Sequence, residues 1–142
     1  MLRIFLLMLL TTGYVQAQEA PERIAGAMTV NVEQAKRLFD LGAVFIDVRP
    51  VSEWSWGHVH GAVHLELSER FAGLARPEWP REVPLVIYCD SDVCPRGAVA
   101  SALAVKWGYK QVFYFREGYF AWMLQDYPQG KGLAGEVVAF SP

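Results

Sequence analysis

Pro84-Leu85-Val86-Ile87-Tyr88-Cys89-Asp90-Ser91-Asp92-Val93-Cys94-Pro95-Arg96 is the stretch on which the fold of this 142-residue chain turns. Pro84 to Tyr88 is a short, continuous apolar run, the pattern of a strand buried on both faces. From Pro95 to Trp107 the sequence is rich in Ala and Val with no breaker beyond Gly97, and Gly108 stands where a helix-ending glycine belongs. Strand, polar loop and helix therefore follow one another, with Cys89 where the strand gives way to the loop.

The same alternation extends to both sides. Upstream, Asn31 is placed to cap a helix, with Gln34 in the capping-box position, Ala35, Leu38 and Phe39 at helical spacing, and Gly42 as the stop. Ala43 to Asp47 reads as a buried strand ending on a charge, and Pro50 with the polar residues after it breaks that strand. Ala62 to Leu65 is a further strand, and Ser68 is positioned to cap a short helix through Ala75. Downstream, Gln111 to Phe115 reads as a strand and Phe120 to Leu124 as a helix. Strands alternating with helices predict an α/β fold, a mainly parallel sheet with helices on both faces. Ligands of such sheets bind beyond the carboxyl ends of the strands, where Asp47 and Cys89 both fall.

A thiol at a strand end, before a short loop and a helix, is set up to react. Successive loop amides can converge on an anion, and the helix N-terminus adds partial positive charge. Both favour thiolate, the nucleophilic form of cysteine. Asp90, Ser91, Asp92, Val93 and Arg96 are the expected substrate-binding residues of this loop, and Cys89 and Cys94 the expected catalytic ones. Arg96 supplies a cation, whereas Asp90 and Asp92 oppose an anion and would raise the pKa of a nearby thiol. Cys89 is favoured as nucleophile by its strand-end position. Cys94 has a claim of its own, since Pro95 suits the first helical position and would make Cys94 the N-cap. It is read as a resolving or relay thiol. A structural disulfide between the two is the alternative.

Composition sets the remaining bounds. The formal charge is −2, and no stretch concentrates Lys or Arg, which argues against a nucleic-acid surface. No Gly-rich phosphate fingerprint is present. Met1-Leu2-Arg3, the apolar run Ile4 to Leu10, and Val15-Gln16-Ala17 form the three parts of a secretory signal with cleavage after Ala17. That apolar segment falls short of the ~20 residues needed to span a bilayer. The expected organisation is a signal peptide at 1–17, a linker at 18–28, one domain at 29–128 and a tail at 129–142. The protein is expected to be exported, most simply to the periplasm, with no stable membrane insertion after cleavage. Asp47 and Arg49 are read as a structural ion pair, since buried charges need partners. His58, His60 and His64 lack a fourth ligand, so no metal is expected. Phe113, Tyr114 and Phe115 are read as core and pocket wall.

Several separated motifs also carry a resemblance. Phe45-Ile46-Asp47-Val48-Arg49-Pro50, Glu53 and Gly57-His58-Val59-His60-Gly61-Ala62 resemble the first signature of the rhodanese (sulfurtransferase) family. Tyr88-Cys89, Gly108-Tyr109, Val112, Gly118 and Ala121-Trp122 resemble its second half. The resemblance covers roughly residues 30 to 125. It implies a three-layer rhodanese-like fold and a cysteine that takes sulfane sulfur as a persulfide and hands it on. It also implies a small anionic sulfur donor, a thiol or cyanide-like acceptor, a possible protein thiol partner and no cofactor. This chain departs from the usual pattern in four places. Six residues separate Cys89 from Arg96, two acids and a second Cys lie between them, His60 replaces a Pro, and Glu117-Gly118 replaces Gly-Gly. The loop is similar to that of a minority of rhodanese-like proteins with Cys-x4-Cys-Pro. A dithiol/disulfide redox protein and a non-catalytic binding module are the competing functions.

Overall fold

The structure, a computed structural model, describes residues 19–132. The expected signal peptide and most of the expected tail lie outside them. Strands β1 (Met28–Val30), β6 (Val112–Phe115), β5 (Leu85–Tyr88), β2 (Val44–Asp47) and β4 (Val63–His64) form one sheet in that order. Every neighbouring pair in it is parallel. The α/β fold with helices on both faces is therefore as expected, and β5 is its central strand.

The apolar runs sort by parity, as the pleat requires. Phe45, Val86, Tyr88 and Phe115 face one side, where they meet Val32 and Ala35 of α1 (Val32–Asp40) and Tyr119 and Trp122 of α4 (Gly118–Leu124). Ile46, Leu85, Ile87 and Cys89 face the other, against Ala100 and Ala104 of α3 (Arg96–Lys106) and Phe71 and Leu74 of a 3₁₀ helix at Glu69–Ala75. Burying each large apolar side chain stabilises the fold by about 1.5–3 kcal/mol. α1 carries the expected capping box: the Gln34 amide donates to Asn31 Oδ1 and the Asn31 amide to Gln34 Oε1, both at 2.8 Å. The Ser68 hydroxyl accepts from the Arg70 amide, as expected of a cap.

Four elements were not legible. α2 (Val51–Trp56) occupies the polar stretch after Pro50. Its six residues are less than two turns, too few for a helical period to show, yet Trp54 is fully buried from it. β3 (His58–Val59) and β7 (Gln129–Gly130) pair antiparallel, so the chain returns to the domain after α4. β1 begins at Met28, pairing in register with Phe113. Cys94 also differs from expectation. It is not the N-cap of α3, a position held by Pro95 with φ −77° and ψ −13°. The Cys94 amide instead donates to the Ser91 carbonyl at 3.1 Å, which places Cys94 in the turn that precedes the cap.

Candidate active site

Cys89 follows β5 directly and is 3 % exposed. Two helices close on it. From α3, Gly97 packs so near that an added Cβ would lie 3.5 Å from the Cys89 amide nitrogen and 3.7 Å from Cys89 Cβ. From α4, the amides of Tyr119 and Phe120 donate to the carbonyls of Cys89 and Asp90 at 2.9 and 3.0 Å. Gly118 makes that approach possible. Its φ is +71°, and a Cβ there would come within 2.6 Å of the Cys89 carbonyl oxygen, so both backbone conformation and space demand glycine. The start of the loop is thus clamped by backbone groups.

Within the loop, Cys89 and Cys94 are joined as a disulfide, with their Cα atoms 6.2 Å apart. The Ser91 hydroxyl donates to Asp90 Oδ1 at 2.9 Å. Val93 is exposed, and Asp92 reaches towards Arg116, whose Nη1 lies 4.0 Å from Asp92 Oδ2. Arg116 also donates to the Ala20 carbonyl at 2.9 and 3.1 Å and pairs with Glu19 at 3.2 Å. The Ala20 amide completes the clasp by donating to the Asp92 carbonyl at 2.8 Å. The expected linker therefore packs on the loop at Ala20, which is buried. Arg96 opens α3 half-buried, and among the described residues its guanidinium has no carboxylate partner. The loop residues expected to bind substrate are thus together, while Arg116 and Ala20 were missed. Neither lies near Cys89 in sequence, and no local pattern marks either one.

The end of β2 is built differently. Asp47 is buried completely, and Arg49 binds it through Nη2 at 2.8 Å while donating to the Gly57 carbonyl at 2.6 Å. Arg49 lies 4.4 Å from the centre of the Tyr119 ring. Burial alone would lower the pKa of this guanidinium, but the hydrogen bond and charge of Asp47 carry it above its ordinary value. Tyr88, paired in register with Asp47, has its hydroxyl pKa pushed well up by burial and then by the Asp47 charge. The expected structural ion pair is present. Beside it, His58 stacks on Trp54 with ring centres 3.4 Å apart, and its Nδ1 lies 2.9 Å from the Trp54 carbonyl. Burial lowers the His58 pKa. His64 also stacks on Trp54, whereas His60 is exposed, so the three histidines do not converge on one point. Among the described residues, Cys89, Asp90 and Cys94 do bring potential ligand atoms within 4.8 Å of one another, but two of those atoms are the bonded sulfurs.

A cavity of about 420 Å³ opens between α2 and α4, lined by Glu53, Trp56, Tyr119, Phe120 and Met123 over Arg49. Phe120 ties it to the loop, since its amide holds Asp90. Ala20 thus covers one flank of the loop, while α4, which holds the start of the loop, lines the cavity through Tyr119 and Phe120.

The family model of the rhodanese-like domain matches residues 31–125, which span both strand ends and the loop. The chain belongs to the rhodanese-like domain family. It is 30 % identical over 101 residues to the thiosulfate sulfurtransferase GlpE of Haemophilus influenzae, covering 70 % of this chain and 90 % of that protein. Rhodanese-like domain-containing protein 17 of Arabidopsis thaliana is 27 % identical over 139 residues, covering 89 % of this chain and 88 % of that one. Among solved structures, the polysulfide-sulfur transferase of Wolinella succinogenes superposes with a TM-score of 0.63 at 20 % identity, covering 79 % of this chain and 84 % of that one. At that identity the likeness speaks for the fold. The rhodanese-like domain thus has sulfurtransferases among its similar proteins, and its own loop holds two sulfurs.

Proposed function

We propose that this rhodanese-like domain is a sulfurtransferase that carries sulfane sulfur as a persulfide on Cys89. The observation that supports it most is the position of Cys89, at the carboxyl end of the central strand β5 with α3 starting seven residues on. The dipole of α3, the loop amides and Arg96, which has no carboxylate partner among the described residues, favour a thiolate and a small anion there. The disulfide is the oxidised resting form. Two equivalents of a reducing thiol, or one dithiol, open it to two thiols and leave as a disulfide themselves. The Cys89 thiolate then attacks the outer sulfur of a donor such as thiosulfate. A new sulfur–sulfur bond forms on Cys89, and sulfite departs with the electron pair of the bond that breaks. A thiol or cyanide-like acceptor, including a protein thiol, takes the sulfur.

With reductant present, thiosulfate:cyanide turnover should vanish in Cys89→Ser and persist at least in part in Cys94→Ser. Full activity in Cys89→Ser would remove Cys89 from the mechanism. A second reading, a dithiol/disulfide redox protein, is favoured by the bond between the two sulfurs. Under it, each single Ser variant loses thiol exchange and thiosulfate leaves no persulfide. We further propose that the domain works outside the cytoplasm, in the periplasm, after cleavage behind Ala17. A mature N-terminus other than Gln18, found by N-terminal sequencing, would count against that cleavage.

A further inference from the structure

We propose that a persulfide on Cys89 is discharged within the chain by Cys94, so that the domain releases the sulfane sulfur as hydrogen sulfide and returns to the Cys89–Cys94 disulfide. This rests on the Cys89 persulfide reading above and adds the fate of the sulfur. The loop itself holds the reacting groups together. Cys94 Sγ is bonded to Cys89 Sγ in the folded domain. The backbone on either side of that bond is fixed independently: the Cys89 carbonyl by the Tyr119 amide, and the Cys94 amide by the Ser91 carbonyl. Once the bond is reduced, the loop already contains the conformation in which Cys94 meets the inner sulfur of the Cys89 persulfide.

Proximity then decides between inside and outside acceptors. A free acceptor competes with a thiol five residues away on the same loop. Short tethers give effective concentrations of order millimolar, and well-oriented groups reach far higher values. An external thiol at or below about 1 mM is therefore the slower partner. The site of attack also matters. Attack on the outer sulfur would move the persulfide to Cys94, whereas attack on the inner sulfur forms the bond seen in the structure.

The steps balance. The Cys89 thiolate and thiosulfate give the Cys89 persulfide and sulfite. After the outer sulfur is protonated, the Cys94 thiolate attacks Cys89 Sγ, the bond to the outer sulfur breaks, and hydrosulfide leaves with the electron pair. The sulfane sulfur gains two electrons and the two cysteines lose two. A dithiol, or two thiols, then reduces the disulfide. Summed, thiosulfate and two thiols yield sulfite, hydrogen sulfide and one disulfide. Such a cycle couples a source of reducing thiols to the supply of sulfide, with no cyanide-like acceptor.

A single-turnover experiment tests this. The protein is reduced, freed of reductant and mixed with excess thiosulfate. Wild type should release one sulfite and one sulfide per chain and end as the disulfide form. Cys94→Ser and Cys94→Ala should release sulfite without sulfide and retain a mass gain of about 32 on Cys89, the signature of a persulfide. Far-UV circular dichroism of both variants checks that the fold persists. Sulfite without sulfide in wild type, with a lasting mass gain on either cysteine, overturns the inference and leaves sulfur transfer standing. No sulfite from wild type overturns the underlying persulfide reading instead. Equal sulfide release by wild type and both Cys94 variants would show that Cys94 is not the resolving group.

Discussion

Two acid–arginine pairs stand at the carboxyl edge of the sheet, and they are made of the same groups put to different uses. Asp47 and Arg49 are sealed in, 0 % and 2 % exposed, with Arg49 also donating to the Gly57 carbonyl. Asp92 and Arg116 meet at 4.0 Å with half of the Asp92 side chain in solvent, and Arg116 is shared with Glu19 and Ala20. Two charges taken from water hold only while both remain, so the first pair is a structural joint. Water screens the second, so that pair can be weakened at little cost to the fold. The chain thus fixes the strand end that carries no thiol and leaves adjustable charge around the one that does.

That contrast breaks most readily at Asp47. Asp47→Ala strands the Arg49 guanidinium in the core, and urea unfolding should show a loss of about 3–5 kcal/mol. Asp92→Ala, which removes the half-exposed partner of the second pair, should cost no more than about 1 kcal/mol by the same measurement. Equal losses would erase the distinction between the two pairs. Gly118→Ala comes next. It forces an unfavourable φ and drives a Cβ into the Cys89 and Asp90 backbone, at a cost of order 1–3 kcal/mol for the backbone strain alone. Because the displaced groups begin the loop, sulfur transfer should fall further than stability alone accounts for. Unchanged turnover in a folded Gly118→Ala protein would mean that the α4 clamp does not position Cys89.

His58 sharpens the comparison through pH. Its pKa in the folded state is lowered from the free value of 6.5, by burial first. As pH falls below 6.5, the unfolded chain takes up a proton that the folded chain resists, so stability declines until the pH passes the folded value. Above 6.5 the imidazole is neutral in both states and contributes no slope. The urea midpoint of wild type should therefore drop on going from pH 7 towards pH 5.5, and His58→Gln should flatten that drop. An equally steep drop in His58→Gln would assign the slope to other groups.

Both strand ends were legible in the sequence, for a shared reason. A buried strand leaves a continuous apolar run, and the residue at its carboxyl end is then marked by position alone, so Asp47, Cys89 and the helix after Pro95 were placed correctly. The capping box of α1 was visible because Asn31 and Gln34 are local partners. By contrast, α2 is too short to display a period, and the pairing of β3 with β7 depends on backbone groups that any residue supplies. Arg116 was invisible for another reason. Its contacts with Ala20 join residues 96 positions apart, and neither residue type marks the other. Cys94 was placed one residue too close to α3, because the preference of Pro for the first helical position does not reveal that Pro95 itself takes the cap. The bond from Cys89 to Cys94 remained one of several open readings, since spacing alone allows both a free pair and a joined one.

The smallest effect predicted concerns Arg116 and the thiols. Asp90 and Asp92 both disfavour a thiolate in the reduced loop, and Arg116 offsets the second of them. Arg116→Gln keeps a hydrogen-bond donor for Ala20 but removes the positive charge. The thiol pKa of the reduced protein should then rise, read as a shift to higher pH in the rate of alkylation by iodoacetamide. With the pair partly in solvent, the shift should be small and should shrink as salt is added, because charges are screened over ~10 Å at 0.1 M. Arg116→Lys should restore most of it. A shift equally large at low and high salt would mean that Arg116 acts by holding the backbone of Ala20 and Asp92 in place. A shift abolished by salt would place its effect in the charge.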